Sequence, residues 1–221
     1  MRRPGTRLRM PLLVGLLLVV STFSSALAQE SQAPCCSRFD YVLERTIFKV
    51  DAVRLELTVH GGTPDRVARL VTGRADPRSS SDSVAALYLA ADDARVRMTF
   101  LRSFGLKRFL DANRGVMEKL TKAGILSDEE FQTLDAANAD RFQVLAADGI
   151  RDGDRIEHQV RGDTVTTRYT DVSGAVRVDE VRVGSEQRRV LLGSLFGPES
   201  GFRNGLLDLV FGRAEAESPA E

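Results

Sequence analysis

The sequence has no tryptophan, and it contains only two cysteines and two histidines in 221 residues. Two cysteines cannot staple a small disulfide-rich domain or supply a cysteine-rich zinc site. His60 and His158 are far apart in the sequence, which leaves few ways to build a histidine metal site or a Ser-His-Asp triad. Neither a glycine-rich phosphate loop nor a paired-carboxylate motif is present, so we expect no metal and no cofactor.

Positive charge is also not in excess, because lysine plus arginine and aspartate plus glutamate both number 31. A nucleic-acid-binding domain carries a basic surplus, so we expect no nucleic-acid partner. The hydrophobic fraction of 43% is ordinary for a globular protein and argues against wholesale disorder. The length predicts one domain with a leader and tails.

Residues 1–28 have the three parts of a signal peptide. Four arginines precede the short apolar run Pro11–Val20, and a small-x-small site ends at Ala28. We therefore predict cleavage after Ala28 and a periplasmic or secreted protein; an uncleaved anchor helix is the alternative. No later run is long enough to span a membrane. Residues 29–37 are predicted to be a flexible linker, in which Cys35 and Cys36 either form a disulfide or remain thiols.

The rest of the chain predicts an α+β domain over residues 38–212, followed by a polar tail at 213–221. Alternating apolar residues predict strands over 38–60 and 94–103 and a meander over 155–161, 164–170 and 175–183. Helical periodicity predicts two short helices between the first two strands, longer helices over 106–124 and 127–147, and two closing helices over 187–196 and 202–211. This order is typical of an antiparallel sheet covered on one face by helices.

Cationic side chains gather on the predicted covered face. Arg102 lies at the end of the strand 94–103. Arg45 and Lys49 are an even number of residues apart on the strand 38–60, so their side chains point to the same face. A covered sheet with such groups could hold an apolar molecule that has an anionic head, because arginine presents a planar charged fork to a carboxylate. The alternative is that these are ordinary surface arginines of an arginine-rich protein.

Four segments, in this order, resemble motifs of the chalcone isomerase-like family, in particular its bacterial exported branch. They are Arg45-Thr-Ile-Phe-Lys-Val50, Val96-Arg-Met-Thr-Phe-Leu-Arg-Ser103, Gly153-Asp-Arg155, and Val190-Leu-Leu-Gly-Ser-Leu-Phe-Gly-Pro198 with Gly205-Leu-Leu207. The resemblance implies an open-faced β-sandwich, in which a layer of helices covers an antiparallel sheet and a ligand cleft lies between them. Members of the family cyclise chalcones, bind fatty acids without catalysis, or act as non-catalytic helpers.

The residues that the family's enzymes use for cyclisation are mostly replaced. Leu106 stands at the position of the enzymes' tyrosine, Phe109 at that of their lysine and Asp51 at that of their threonine, whereas Asn113 is unchanged. Arg45 lies near the position of the family's arginine. We therefore predict no catalytic residues and a protein that binds a small apolar ligand such as a fatty acid.

The resemblance and the charge pattern together define a predicted ligand-binding set. It consists of Arg45, Asp51, Phe100, Arg102, Leu106, Phe109, Leu110 and Asn113. Two alternatives remain open at the level of sequence. One is an isomerase, an intramolecular lyase of chalcone isomerase type, with an unknown substrate. The other is a protein-interaction module that uses the exposed face of the sheet.

Overall fold

The computed structural model of the chain describes residues 36–44, 51–72, 74 and 76–217. The strands are β1 (Cys36–Glu44), β2 (Asp51–His60), β3 (Asp93–Phe100), β4 (Arg155–Arg161), β5 (Thr164–Thr170) and β6 (Val176–Val183). The helices are α1 (Thr63–Val71), α2 (Ser81–Leu89), α3 (Leu106–Lys122), α4 (Asp128–Phe142), α5 (Ser185–Phe196) and α6 (Arg203–Glu217). None of these helices is both long and apolar enough to cross a membrane.

Within the described residues the six strands form one antiparallel sheet in sequential order, β1-β2-β3-β4-β5-β6. Alternation sorts the side chains of each strand between two faces. On β3, Val96 and Phe100 are buried beneath the helices. Arg97 lies on the outer face, where it donates hydrogen bonds to Glu157 and Glu56 at 2.7 and 2.9 Å. The predicted α+β architecture, an antiparallel sheet with helices on one face, is confirmed.

The prediction of a single strand over 38–60 is wrong. The chain instead forms two antiparallel strands, with Glu44 of β1 paired to Asp51 of β2. Apolar alternation runs through both strands, so the pattern alone does not reveal the reversal. The connection 45–50, which contains Arg45 and Lys49, lies outside the described residues, as do Cys35 and the predicted signal peptide.

Strand β3 is also shorter than predicted, because it ends at Phe100. Beyond that residue the backbone pairs with the segment before β4: Phe104 and Ile150 exchange hydrogen bonds of 2.9 Å in both directions. Arg102 therefore lies in the β3–α3 connection rather than on a strand. At the chain ends, β1 begins at Cys36 within the predicted linker, and α6 continues to Glu217 within the predicted tail.

The helix signals and the meander agree more closely with the structure. Ser127 and Glu130 form a capping box at the start of α4, in agreement with the helix predicted over 127–147. Gly124 ends the α3 region with a φ of 70°, a left-handed conformation that glycine adopts at no steric cost. The short helix α2 begins at Ser81, with Ser80 at its N-cap position.

Three groups of buried side chains hold the layers together. The large core joins β1–β5 to α1, α2, α5 and α6, and includes Leu55, Leu57, Leu192 and Phe196. The aromatic cluster lies under α3 and α4 and comprises Phe100, Phe109, Phe142, Leu145, Ile150, Ile156, Tyr169 and Val178. The α3–α4 cluster comprises Met117, Leu120, Leu126 and Leu134.

Candidate functional site

A cavity of about 320 Å³ lies between the inner face of the sheet and the helices α3, α4 and α5. Residues of all three buried clusters contribute to its walls, including Leu191, Phe109 and Met117. Small-molecule sites commonly have volumes of about 300–1,000 Å³, so the cavity is of a size for a small ligand.

Aromatic rings form one wall of the cavity. Phe100, Phe104, Phe109 and Phe142 all line it. The ring centroids of Phe100 and Phe109 are 6.0 Å apart, and those of Phe109 and Phe142 are 4.9 Å apart, both edge to face. Edge-to-face packing fixes the rings relative to one another, so this wall offers a preformed apolar surface.

Aliphatic side chains complete most of the remaining surface. The floor is formed by inward-facing residues of the sheet: Val53, Met98, Ile156 and Val165. The roof is formed by residues of α3 and α5: Val116, Met117, Leu120, Val190 and Leu191. An elongated apolar molecule would be in contact with hydrocarbon along most of its length, which is the favourable environment for it.

One region of the floor is polar, and in it Thr167 is buried and His158 partly buried. His158 of β4 and Thr167 of β5 both line the cavity, and their Nδ1 and Oγ1 atoms are 2.9 Å apart. Burial, together with the charge of Arg141, lowers the pKa of His158 to about 3. The imidazole is therefore neutral at physiological pH.

Arg141 of α4 also lines the cavity, and its charge acts on His158. Its side chain is 11% exposed; its Nε donates to a carboxylate oxygen of Glu180, and its Nη1 donates to Oδ1 of Asn138 at 3.3 Å. Glu180 of β6 accepts a second hydrogen bond, of 2.6 Å, from Arg182. Burial and the neighbouring Arg182 lower the pKa of Arg141, although Glu180 opposes that shift.

The other cationic groups that line the cavity are the partly buried Arg102 and the exposed Arg108 and Lys119. Arg102 follows β3, Arg108 lies in the first turns of α3, and Lys119 lies near its end. Lys119 donates to the backbone carbonyl of Glu199 at 3.2 Å. Arg102 and Arg108 form no hydrogen bond or ion pair with another described residue.

The structure brings half of the predicted ligand-binding set into this cavity. Phe100, Arg102, Phe109 and Asn113 line it. Leu106 and Leu110 lie on another side of α3, where they border a second groove next to α4. Asp51 begins β2 opposite Glu44, and Arg45 lies outside the described residues. The binding roles assigned to this set remain predictions.

The polar residues at the buried end were not predicted from the sequence. His158 lies between Ile156 and Val160 on the inward-facing side of β4, and Thr167 lies between Val165 and Tyr169 on the inward-facing side of β5. Strand alternation could therefore have placed both side chains under the helices. No local signal marks Arg141, because its partner Glu180 is 39 residues away in the chain. Such a contact depends on how α4 crosses the sheet.

The described part of the cavity wall offers few groups for acid–base or metal chemistry. Its one carboxylate is that of Glu199, which is exposed. Among the residues searched, no group of three or more His, Cys, Asp or Glu side chains is arranged to hold a metal ion. The site's dominant property is therefore an apolar surface that ends at one buried guanidinium.

We expect no chalcone cyclisation by this protein. Phe109 and Leu106 supply neither the hydroxyl nor the ammonium that the resembling enzymes place on this helix, so the developing negative charge would lack those partners. Incubation with a chalcone, followed by chiral chromatography, should give only the racemic flavanone of the uncatalysed reaction. Enantioselective product at an enzyme-like rate, abolished in Asn113→Ala, would contradict this expectation.

Comparison with solved structures is informative, whereas the comparisons of sequence are not. No protein-family model matches the chain, and no curated protein matches it in sequence. Among solved structures it is similar to a fatty-acid binding protein of Arabidopsis thaliana, AtFAP1, with a TM-score of 0.52 and 14% sequence identity. The match covers 80% of this chain and 89% of that one. At this identity the likeness shows the fold, which is the chalcone isomerase-type fold predicted from the sequence motifs.

Proposed function

We propose that this protein binds a small apolar carboxylate, such as a fatty acid, in the cavity between the sheet and α3–α5, and that it does so without catalysis. The observation that carries the proposal is the cavity itself, whose walls are aromatic and aliphatic and whose charged lining groups are mainly cationic. The similar structure is that of a fatty-acid binding protein, which adds support at the level of fold. An open cavity also favours a ligand binder over a module whose helices pack tightly onto the sheet.

The protonation state of the lining groups supports binding rather than reaction. An efficient general base has a pKa near the working pH. His158, with a pKa of about 3, is a weak base at neutral pH. Glu199, the one carboxylate of the described lining, is exposed to solvent. The described lining therefore suits recognition of a ligand better than proton transfer to or from it.

A titration of dodecanoate and dodecanol against the full chain tests this proposal. We expect saturable binding of both, with the acid bound about tenfold to a hundredfold more tightly, because hydrogen bonds to a charged group contribute about 1.5–3 kcal/mol. Val116→Phe inserts a ring into the cavity from α3. It should weaken both ligands about fivefold to a hundredfold, since overpacking costs about 1–3 kcal/mol.

Val144→Phe provides the matched control for that variant. Val144 is 47% exposed and is not part of the cavity wall, so the same substitution there should leave both affinities at the wild-type value. The proposal is wrong if the wild type shows no saturable binding of either ligand. It is also wrong if Val116→Phe and Val144→Phe bind both ligands equally well.

We also propose that the chain is exported and cleaved after Ala28, on the basis of the three-part leader in residues 1–28. Mass spectrometry of the protein recovered from an expressing bacterium should then give an amino terminus at Gln29 in the periplasmic or secreted fraction. An intact leader in a membrane pellet that resists salt washing would instead support the anchor alternative.

A further inference from the structure

The buried end of the cavity carries an unbalanced charge. Arg141 and Arg182 share the single carboxylate of Glu180, which accepts one hydrogen bond from each of them on separate oxygens. The side chains of the three residues are 11%, 26% and 30% exposed in that order. The group therefore holds one surplus positive charge in a partly buried position, and a partly desolvated charge is stabilised by an accompanying anion.

Arg141 also has N–H groups that donate to no described protein group. Its Nε and Nη1 bind Glu180 and Asn138, whereas its Nη2 has no hydrogen-bond partner among the described residues. A guanidinium is a fixed fork of five N–H donors, suited to bidentate contact with a carboxylate. Since Arg141 lines the cavity, a carboxylate within the cavity is the natural additional partner.

His158 and Thr167 add a further donor beside Arg141, whichever tautomer the histidine adopts. If Nδ1 carries the proton, it donates to Oγ1, and the hydroxyl hydrogen of Thr167 remains to bind another acceptor. If Nε2 carries the proton, the hydroxyl donates to Nδ1 and the Nε2–H remains. The pair therefore offers one uncommitted N–H or O–H donor without adding a second charge.

We propose that Arg141, together with the His158–Thr167 pair, binds the carboxylate head of the ligand, so that the ligand lies head inward with its chain along the aromatic wall. This inference rests on the ligand-binding function proposed above. It differs from the arrangement predicted from sequence, in which the head is bound by cationic groups among Arg45, Lys49 and Arg102. His158 on β4 pairs with Val96 on β3. Phe100 lies four residues further along β3, about 13 Å away, and Arg102 follows it. Arg102 is therefore well away from the end of the cavity that His158 and Arg141 line.

The test compares dodecanoate with dodecanol on the full chain and on point variants. Arg141→Leu should weaken the acid about tenfold to a hundredfold and change the alcohol little, so that the preference for the acid disappears. Retained binding of the alcohol is the internal control for folding. Arg155→Leu, on the exposed outer face of β4, should keep the full preference of the wild type.

Glu180→Gln should change the affinity for dodecanoate in the opposite direction. This test therefore does not depend on whether Arg141→Leu folds stably. It removes the competing carboxylate at nearly constant size and raises the surplus at this end from one positive charge to two. Dodecanoate should then bind severalfold more tightly, with dodecanol unchanged. A merely structural role for the arginine–glutamate group predicts weaker binding of both ligands.

Different outcomes separate this inference from the proposed function. If the wild type prefers the acid but the preference survives Arg141→Leu and is lost in Arg102→Leu, the head is held at the exposed end and the inference is overturned while the function stands. Unchanged or weaker acid binding in Glu180→Gln also overturns it. If the wild type binds neither ligand, the proposed function fails and this inference fails with it.

Discussion

Replacing Asp154 with alanine is expected to lower the free energy of unfolding by about 3–5 kcal/mol. Asp154 is 1% exposed, and its carboxylate accepts hydrogen bonds from the backbone N–H of Arg151 and of Val172, each at 2.7 Å, and from the hydroxyl of Tyr169. Its loss leaves the fully buried Tyr169 hydroxyl without a partner and opens the turn between β5 and β6. Each such unsatisfied group costs about 1–3 kcal/mol.

Urea denaturation at neutral pH measures this effect, with two variants as references. Tyr169→Phe keeps the buried ring and both backbone hydrogen bonds of Asp154, so it should cost only about 1–2 kcal/mol. Asp152→Ala removes an exposed carboxylate two residues away and should change stability by less than about 0.5 kcal/mol. A loss in Asp154→Ala no larger than that in Asp152→Ala would contradict the structural role described for this carboxylate.

The second large effect is a loss of stability in acid that depends on His158. Burial and the charge of Arg141 lower its pKa in the folded protein to about 3, against about 6.5 for an unperturbed histidine. Between these values the unfolded chain binds a proton that the folded chain does not. Stability therefore falls as the pH decreases from 6.5 towards 3, by up to about 1.4 kcal/mol per pH unit from this group.

Comparison with His158→Gln isolates that contribution. Glu130, Glu157 and Glu180 also have lowered pKa values, so their contributions to stability are lost on acidification in both proteins. The difference in acid sensitivity between the wild type and the variant should then come mainly from His158. The charged groups near it, Arg141, Glu180 and Arg182, are present in both proteins. From pH 6 to pH 4 the wild type should lose about 2–3 kcal/mol more than the variant.

His60→Gln is the control for removal of the other histidine and should retain the acid sensitivity of the wild type. Parallel curves of stability against pH for the wild type and His158→Gln would refute the neutral, buried state of His158. They would also weaken the case that the polar end of the cavity is shielded from bulk water.

The sequence predicts those parts of the fold whose signals are local. The meander β4–β6 was placed within a residue of its observed bounds, because period-two alternation is interrupted by turns at Gly162-Asp163 and before Ala175. The start of α4 was correct because a Ser-x-x-Glu capping box depends on neighbouring residues alone. The β1–β2 hairpin was missed because apolar alternation continues through both strands.

The candidate site was predicted less completely because it depends on contacts between distant segments. The family resemblance placed Phe109 and Asn113, which line the cavity, in the predicted ligand-binding set, but it did not separate them from Leu106 and Leu110 on another side of the same helix. The charge of Arg141 near His158 arises only when α4 is packed over β4 and β6. No spacing rule connects residues that meet in this way.

A crystal structure of the protein saturated with ω-bromododecanoate tests the central claim most directly, because the anomalous signal of bromine locates one end of the ligand independently of the protein density. We predict one bound molecule, with its chain against Phe100, Phe109 and Val116 inside the cavity. Bromine located only on the exterior of the protein, with the cavity unoccupied at saturating ligand, would contradict the claim that this cavity is the binding site.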